Sequence, residues 1–270
     1  PDLRAKKKVG QNFLLHLNVT DQIARTVRLD GAHVIEVGPG PGGLTRSLLN
    51  AGAGKVSVIE FDDRLIPVLE DLQSAYGAER LEILNADALN VDFSEFPSGA
   101  HIVANLPYNI ATPLVIKWMH DLDRHPGQFA SLTLMFQKEV AQRMSAAAGS
   151  KDYGRLSIIC QYMCEVRRLF DLPPDAFTPP PKVTSSIVQL VPRGGQDRPD
   201  GPAGSNEHGR PDLQTLETLT AKAFGQRRKM IRSTLSEYRD SLDELGIDPT
   251  QRAENLTLET YLKLAAKVVS

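Results

Sequence analysis

Between about residue 20 and residue 135, short apolar runs alternate with segments whose apolar positions recur every three to four residues. His33–Val37, Lys55–Ile59, Leu81–Leu84, His101–Ala104 and Ser131–Phe136 read as strands. Segments through Leu44–Asn50, Leu65–Tyr76 and Leu114–His120 read as helices. Strands that alternate with helices of this length predict βαβ units: a parallel sheet with helices on both faces. Val183–Val191, rich in β-branched residues, adds a late strand. The pattern then breaks. Residues 192–211 are polar, rich in Gly and Pro and aperiodic, which predicts a linker or loop. From Leu213 to Val269 the three-and-four spacing returns (Leu213, Leu216, Leu219, Ala223), predicting a small helical unit. The expected organisation is an α/β domain over 1–191, a linker over 192–211 and a smaller C-terminal α-helical domain over 212–270.

Composition narrows the class. With 270 residues, 41% of them hydrophobic, the chain can bury a full-sized core. No apolar run approaches the ~20 residues that span a bilayer. The basic stretch from Pro1 to Gly10 lacks the apolar core of a secretory signal. The expectation is a cytoplasmic monomer without a membrane anchor. Cys160 and Cys164 lack the other ligands of a zinc site. If helical they share one face, as two buried apolar residues. The six histidines form no ligand-spaced pair, so no metal is expected. A net charge of −2 does not mark a nucleic-acid binder. Two local clusters stand out: Arg4, Lys6, Lys7 and Lys8, and then Arg227, Arg228, Lys229 and Arg232. On charge alone each reads as a solvated face.

Candidate chemistry gathers at the ends of the predicted strands. Ile35-Glu36-Val37 runs into Gly38-Pro39-Gly40-Pro41-Gly42-Gly43, a glycine-rich turn before a helix. Dinucleotide enzymes and methyltransferases share this pattern. Pro39 and Pro41 have no N–H to offer a pyrophosphate, which favours S-adenosyl-L-methionine over NAD while leaving both open. Glu60 ends the next strand and suits the ribose hydroxyls. Asp87, after the third strand, suits the adenine amine of the cofactor, or is simply a turn aspartate.

Asn105-Leu106-Pro107-Tyr108 follows the fourth strand, where parallel sheets present chemistry. An adenine amine is a poor nucleophile because its lone pair is delocalised into the ring. Two acceptors, the Asn105 side-chain oxygen and the Leu106 carbonyl, would bind its hydrogens and expose that lone pair. Pro107 would fix the turn, and Tyr108 would stack the flipped base. No general base is required, because in-line positioning supplies most of the catalysis. The plain alternative is a proline turn after a strand.

Taken together, these motifs make the chain resemble the ribosomal RNA adenine dimethyltransferases, specifically the bacterial enzymes that act on two adjacent adenines near the 3′ end of 16S rRNA. The resemblance rests on Gly10-Gln11-Asn12-Phe13-Leu14, Glu36-Val37-Gly38-Pro39-Gly40, Asn105-Leu106-Pro107-Tyr108-Asn109-Ile110, Phe177-Thr178-Pro179-Pro180-Pro181-Lys182-Val183, Phe224-Gly225-Gln226-Arg227-Arg228-Lys229 and Ala253-Glu254-Asn255-Leu256. It implies a Rossmann-like S-adenosylmethionine-dependent methyltransferase sheet. It implies cofactor contacts from Asn12, Leu14, Gly38, Gly40, Glu60, Asp87 and Asn105. It also implies Phe177 as a second aromatic opposite Tyr108, and RNA contacts from Arg227, Arg228, Lys229, Arg232, Lys7 and Lys8. The expected partner is 16S rRNA in the small ribosomal subunit or its precursor. The alternatives are a 23S rRNA adenine methyltransferase of the macrolide-resistance type, a DNA adenine methyltransferase, a non-catalytic RNA-binding factor on the same scaffold, and an NAD-dependent dehydrogenase.

Overall fold

The computed structural model describes residues 13–14, 16–194 and 211–269. Lys7, Lys8, Asn12 and residues 195–210 of the expected linker lie outside the described residues. The elements run β1 (Phe13–Leu14), α1 (Leu17–Ala24), β2 (His33–Val37), α2 (Gly43–Asn50), β3 (Lys55–Glu60), α3 (Ile66–Tyr76), β4 (Leu81–Asn85), β5 (Ala100–Ala104), α4 (Tyr108–Arg124), β6 (Phe129–Gln137), α5 (Lys138–Met144), α6 (Arg155–Met163), β7 (Cys164–Leu172), β8 (Phe177–Thr178) and β9 (Ser185–Pro192). Four helices follow: α7 (Leu213–Gly225), α8 (Ile231–Thr234), α9 (Arg239–Glu244) and α10 (Leu258–Val269).

Seven strands form one sheet in the order β4-β3-β2-β5-β6-β9-β7. The first five are parallel, in register Val34↔Val56, Val58↔Ile83 and Ile102↔Leu132, and β9 runs antiparallel to β6. Strands buried on both faces read as unbroken apolar runs. In β3 every residue from Val56 to Glu60 is buried, Ser57 and Glu60 among them. The core on this sheet includes Val34, Leu48, Val56, Val58, Leu69 and Val103, all fully buried, each such side chain contributing roughly 1.5–3 kcal/mol. Phe93 meets Trp118 of α4 and Phe129 of β6 edge-to-face at centroid distances of 5.7 and 6.1 Å.

The chain forms two compact units, and neither is a single stretch of sequence. Residues 1–141 and 167–191 make the first; 142–166 and 192–270 make the second. The expected single boundary at 191 therefore differs from the structure, because residues 142–166 fold with the C-terminal helices. In the second unit α7 packs against α6 and α10. Asp212 caps α7, its carboxylate accepting from the Thr215 N–H at 2.7 Å. Phe224 stacks on Tyr261 at 6.0 Å and meets Tyr153 at 6.3 Å. The Tyr261 hydroxyl donates to the Ala253 carbonyl.

Two local expectations need correction. Cys160 and Cys164 do not share a helical face, since α6 ends at Met163 and Cys164 opens β7; both are buried free thiols. Helix α4 starts at Tyr108 rather than Leu114, and contains Pro113. Among the described residues no helix is long and apolar enough to cross a membrane.

Candidate active site

Parallel pairing puts the carboxyl ends of β2, β3, β4 and β5 along one edge of the first unit's sheet. The loops that follow them converge there, as in open α/β sheets generally. Two cavities open among these loops. The larger, about 610 Å³, lies within the ~300–1,000 Å³ of small-molecule pockets. Glu60, Phe61, Asp62, Asn85, Asp87 and Asn109 are among its lining residues. The smaller, about 60 Å³, is lined by Phe13, Leu14, Glu36, the Gly38–Pro41 turn, Leu44 and Asn105–Tyr108. Gly38, Glu60 and Pro107 line both, so they form a common wall.

The glycine turn owes its path to backbone freedom. Gly38 and Gly40 sit at φ of 70° and 58°, where a side chain is strained. A Cβ on Gly40 would come within 3.0 Å of the Phe13 ring, so that ring lies directly on the turn. Phe13 and Leu14 are held there by β1, which pairs antiparallel with β8 (Phe13↔Thr178, Leu14↔Phe177). The Gly40 N–H donates to Glu60 Oε2 at 3.3 Å, and the Asp62 N–H to Glu60 Oε1 at 2.8 Å. Burial raises the Glu60 carboxyl above its ordinary range, against the pull of these donors.

Glu36 is the acid that motif spacing alone did not single out. It ends neither strand nor turn, is 1% exposed, and accepts from Thr45 Oγ1 at 2.6 Å. Loss of hydration pushes its carboxyl up to about 8, with the Thr45 bond opposing and the Glu60 charge adding. Phe61 was missed as well. It is 71% exposed on the wall of the larger cavity, directly after Glu60. Its signal was available, a large aromatic just past a strand end, where no core position is expected. Asp87 is a turn aspartate that also faces a cavity. It lines the larger cavity, and its Oδ1 accepts from the Leu89 N–H at 3.0 Å in a turn.

At the end of β5 the chain passes Asn105, half-buried, and Leu106, 1% exposed, then turns at Pro107 into α4. Pro107 adopts φ −56°, ψ 128°, and its carbonyl accepts from the N–H groups of Ile110 and Ala111 to start the helix. Tyr108 is half-buried on the wall of the smaller cavity, and its hydroxyl lies 2.8 Å from Ser185 Oγ.

The structure brings Leu14, Gly38, Gly40, Glu60, Asp87, Asn105, Leu106 and Tyr108 to these two cavities. It does not bring Phe177 there. That ring is 2% exposed and packs in the core with Leu14, Leu172 and Ile187, because the β1–β8 pairing faces it inward.

The second unit carries the other expected residues. Arg228, Lys229 and Arg232 are exposed. Arg227 is engaged within the unit. Its Nε donates to Glu254 Oε2 at 2.8 Å, and its Nη2 to the carbonyls of Lys151 and Tyr153. It clasps the 149–153 loop to the turn at Ala253–Asn255, where the Gly149 N–H also donates to the Glu254 carbonyl. Among the described residues, no group of three or more His, Cys, Asp or Glu is placed to hold a metal ion.

Relatives are found across the whole chain. The ribosomal RNA small subunit methyltransferase A of Rhodospirillum rubrum is 48% identical over 271 residues, covering 98% of this chain and 88% of that protein. The Mesorhizobium japonicum protein of the same name is 48% identical over 276 residues, covering 98% and 94%. Among solved structures, a dimethyladenosine transferase from Plasmodium falciparum superposes with a TM-score of 0.78 at 27% identity, over 95% of this chain and 97% of that one. The 23S rRNA methyltransferase ErmE gives 0.68 at 26% identity, over 96% and 100%. A family model described as ribosomal RNA adenine dimethylase matches residues 2–268, and the chain belongs to that family.

Proposed function

We propose that this enzyme transfers methyl groups from S-adenosylmethionine to the N6 amines of two adjacent adenines near the 3′ end of 16S rRNA, acting as a cytoplasmic monomer on the small subunit or its precursor. The carrying observation is the pair of cavities with a common wall. Asn105, Leu106 and Tyr108 stand on one side and the acid-lined nucleoside-sized space on the other.

The residues fit the donor better than a dinucleotide. Pro39 and Pro41 have no N–H, and the Gly40 N–H is already given to Glu60. A pyrophosphate would find this turn short of donors. Glu60 and Asp87 supply acceptors suited to ribose hydroxyls and an adenine amine. Phe61 offers its face to the purine, and Leu14, Gly38 and Gly40 line the space for the methionine part. When bound, S-adenosylmethionine supplies an electrophilic methyl on a positively charged sulfur.

The chain's own residues do the rest. Asn105 Oδ1 and the Leu106 carbonyl accept the two amine hydrogens and turn the nitrogen lone pair outward. Pro107 fixes the angle between these acceptors. Tyr108 stacks the extruded base, worth ~1–3 kcal/mol. Burial of Leu106 shields the reacting nitrogen while its bond to the methyl carbon forms and the methyl–sulfur bond breaks; the proton of the resulting ammonium passes to water at the open side of the site.

The 48% identity to proteins named small-subunit methyltransferases supports 16S rRNA as substrate. The likeness to a 23S rRNA methyltransferase makes large-subunit RNA the competing substrate. Radiolabelled S-adenosylmethionine offered with undermethylated small subunits, large subunits and DNA decides between them. The expected product is N6,N6-dimethyladenine in small-subunit RNA, and label confined to large-subunit RNA or DNA overturns the proposal. Asn105→Ala is expected to abolish transfer while cofactor binding stays measurable. Near-normal turnover in that variant would remove the amine-holding role.

A further inference from the structure

Stacking a base asks only for a flat face. A phenylalanine presents the same face, so the Tyr108 hydroxyl needs a separate reason. Burying a hydroxyl without a partner is costly, and Tyr108 is half-buried with its oxygen 2.8 Å from Ser185 Oγ. Ser185 is itself fully buried and opens β9.

This serine is fixed from several directions. Its backbone pairs with Gln137 at the end of β6. The preceding residue, Thr184, accepts from the Lys138 N–H at 2.9 Å. The following one, Ser186, donates to Asp171 Oδ1, and Lys138 Nζ meets the other oxygen of that carboxylate at 2.7 Å. Asp171 is thereby held ionised down to about pH 2 by the lysine and serine bonds. The anchor at Ser185 therefore belongs to the sheet and not to a loop. At its other end Tyr108 is the first residue of α4, placed by the Pro107 turn. The ring is thus gripped at both Cα and hydroxyl, which leaves little freedom about either side-chain torsion.

We propose that Ser185 is a positioning residue for methyl transfer: through its hydrogen bond to the Tyr108 hydroxyl it sets the angle of the ring on which the target adenine stacks. The proposal rests on the reading of Tyr108 as the stacking residue. It assigns the hydroxyl to geometry, not to proton transfer. Its energetic scale is that of one hydrogen bond, so its loss should be read as about a fivefold effect on turnover.

Four variants test it on undermethylated small subunits: Tyr108→Ala, Tyr108→Phe, Ser185→Ala and the double Tyr108→Phe/Ser185→Ala. If Ser185 acts through the hydroxyl, Tyr108→Phe and Ser185→Ala each lower kcat about fivefold, with KM and cofactor Kd unchanged. The double variant is then no slower than either single. A merely structural serine would loosen β9 whatever residue stands at 108, so its loss would add to that of Tyr108→Phe. Additivity, or wild-type kcat in Ser185→Ala while Tyr108→Ala is severely impaired, overturns this proposal and leaves the stacking role standing. Wild-type turnover in Tyr108→Ala overturns the stacking role, and this proposal with it.

Discussion

Glu36 is a carboxyl kept from water in the middle of a sheet edge. Its ordinary value of 4.5 would prevail in the unfolded chain, while burial pushes it up to about 8 in the folded protein. The folded state therefore binds the proton more tightly. The stabilisation linked to that proton is fully present below 4.5, and it is lost as pH rises through about 8. Melting temperature should accordingly fall across this window in the wild type, and Glu36→Gln, which mimics the protonated acid, should flatten the fall. Identical pH slopes for the two proteins would show that Glu36 is ionised in the fold. A neutral acid here also has a use: two carboxylates as close as Glu36 and Glu60 oppose each other's charge until a cation arrives.

At the scale of elements, the site depends on how turns join strands to helices. Gly40→Ala puts a Cβ both into a left-handed backbone conformation and 3.0 Å from the Phe13 ring. The backbone penalty alone is roughly 1–2 kcal/mol. Denaturant titration should report a loss of that size, and calorimetry a weakened cofactor affinity as Phe13 is displaced. An unchanged denaturation midpoint would mean that the turn relaxes freely.

The same scale shows what could be read from residue order. The strands β2, β3 and β5 were legible because burial on both faces leaves nearly unbroken apolar runs, each ended by glycine, acid or amide, whereas β4, an edge strand of which Leu81 alone is buried, was legible from its place in the alternation of strands and helices. The start of α4 was not, since Pro113 removes the N–H that would bond the Asn109 carbonyl and so mimics a helix start. Strand β7 was also hidden. It is an edge strand with Glu165, Arg167, Arg168 and Asp171 exposed, a pattern that guards against edge pairing and resembles a loop. Asn105, Glu60 and Asp87 were legible by their place after strands. The inward packing of Phe177 was not, because it depends on a two-residue ladder formed with Phe13–Leu14, far away in the sequence.

For the whole molecule, the charge of −2 leaves nucleic-acid affinity to local groups. Arg227 stands next to Arg228 in sequence, yet the two have different surroundings. Both are exposed, but Arg227 clasps Glu254 and two backbone carbonyls. In RNA-binding titrations over a salt series, Arg228→Ala and Lys229→Ala should each reduce the slope of log K against log salt by about 0.7–0.9, the signature of one phosphate contact. Arg227→Ala should leave that slope alone and lower stability by about 1 kcal/mol, since its ion pair is partly exposed. A reduced slope for Arg227→Ala without destabilisation would place its guanidinium on RNA after all. That the second unit takes in residues 142–166 was not legible either. Contacts such as the Arg227 clasp join segments far apart in the chain, and no local pattern announces them.

The pairing of Phe13–Leu14 with Phe177–Thr178 has a practical side for anyone trimming or tagging the chain. Removing residues through Leu14 takes away one strand of that ladder, uncovers one face of Phe177 and lifts a ring from the glycine turn. Damage done at one end of the sequence would surface as faster protease cleavage after Phe177, at a bond that the truncation never touched.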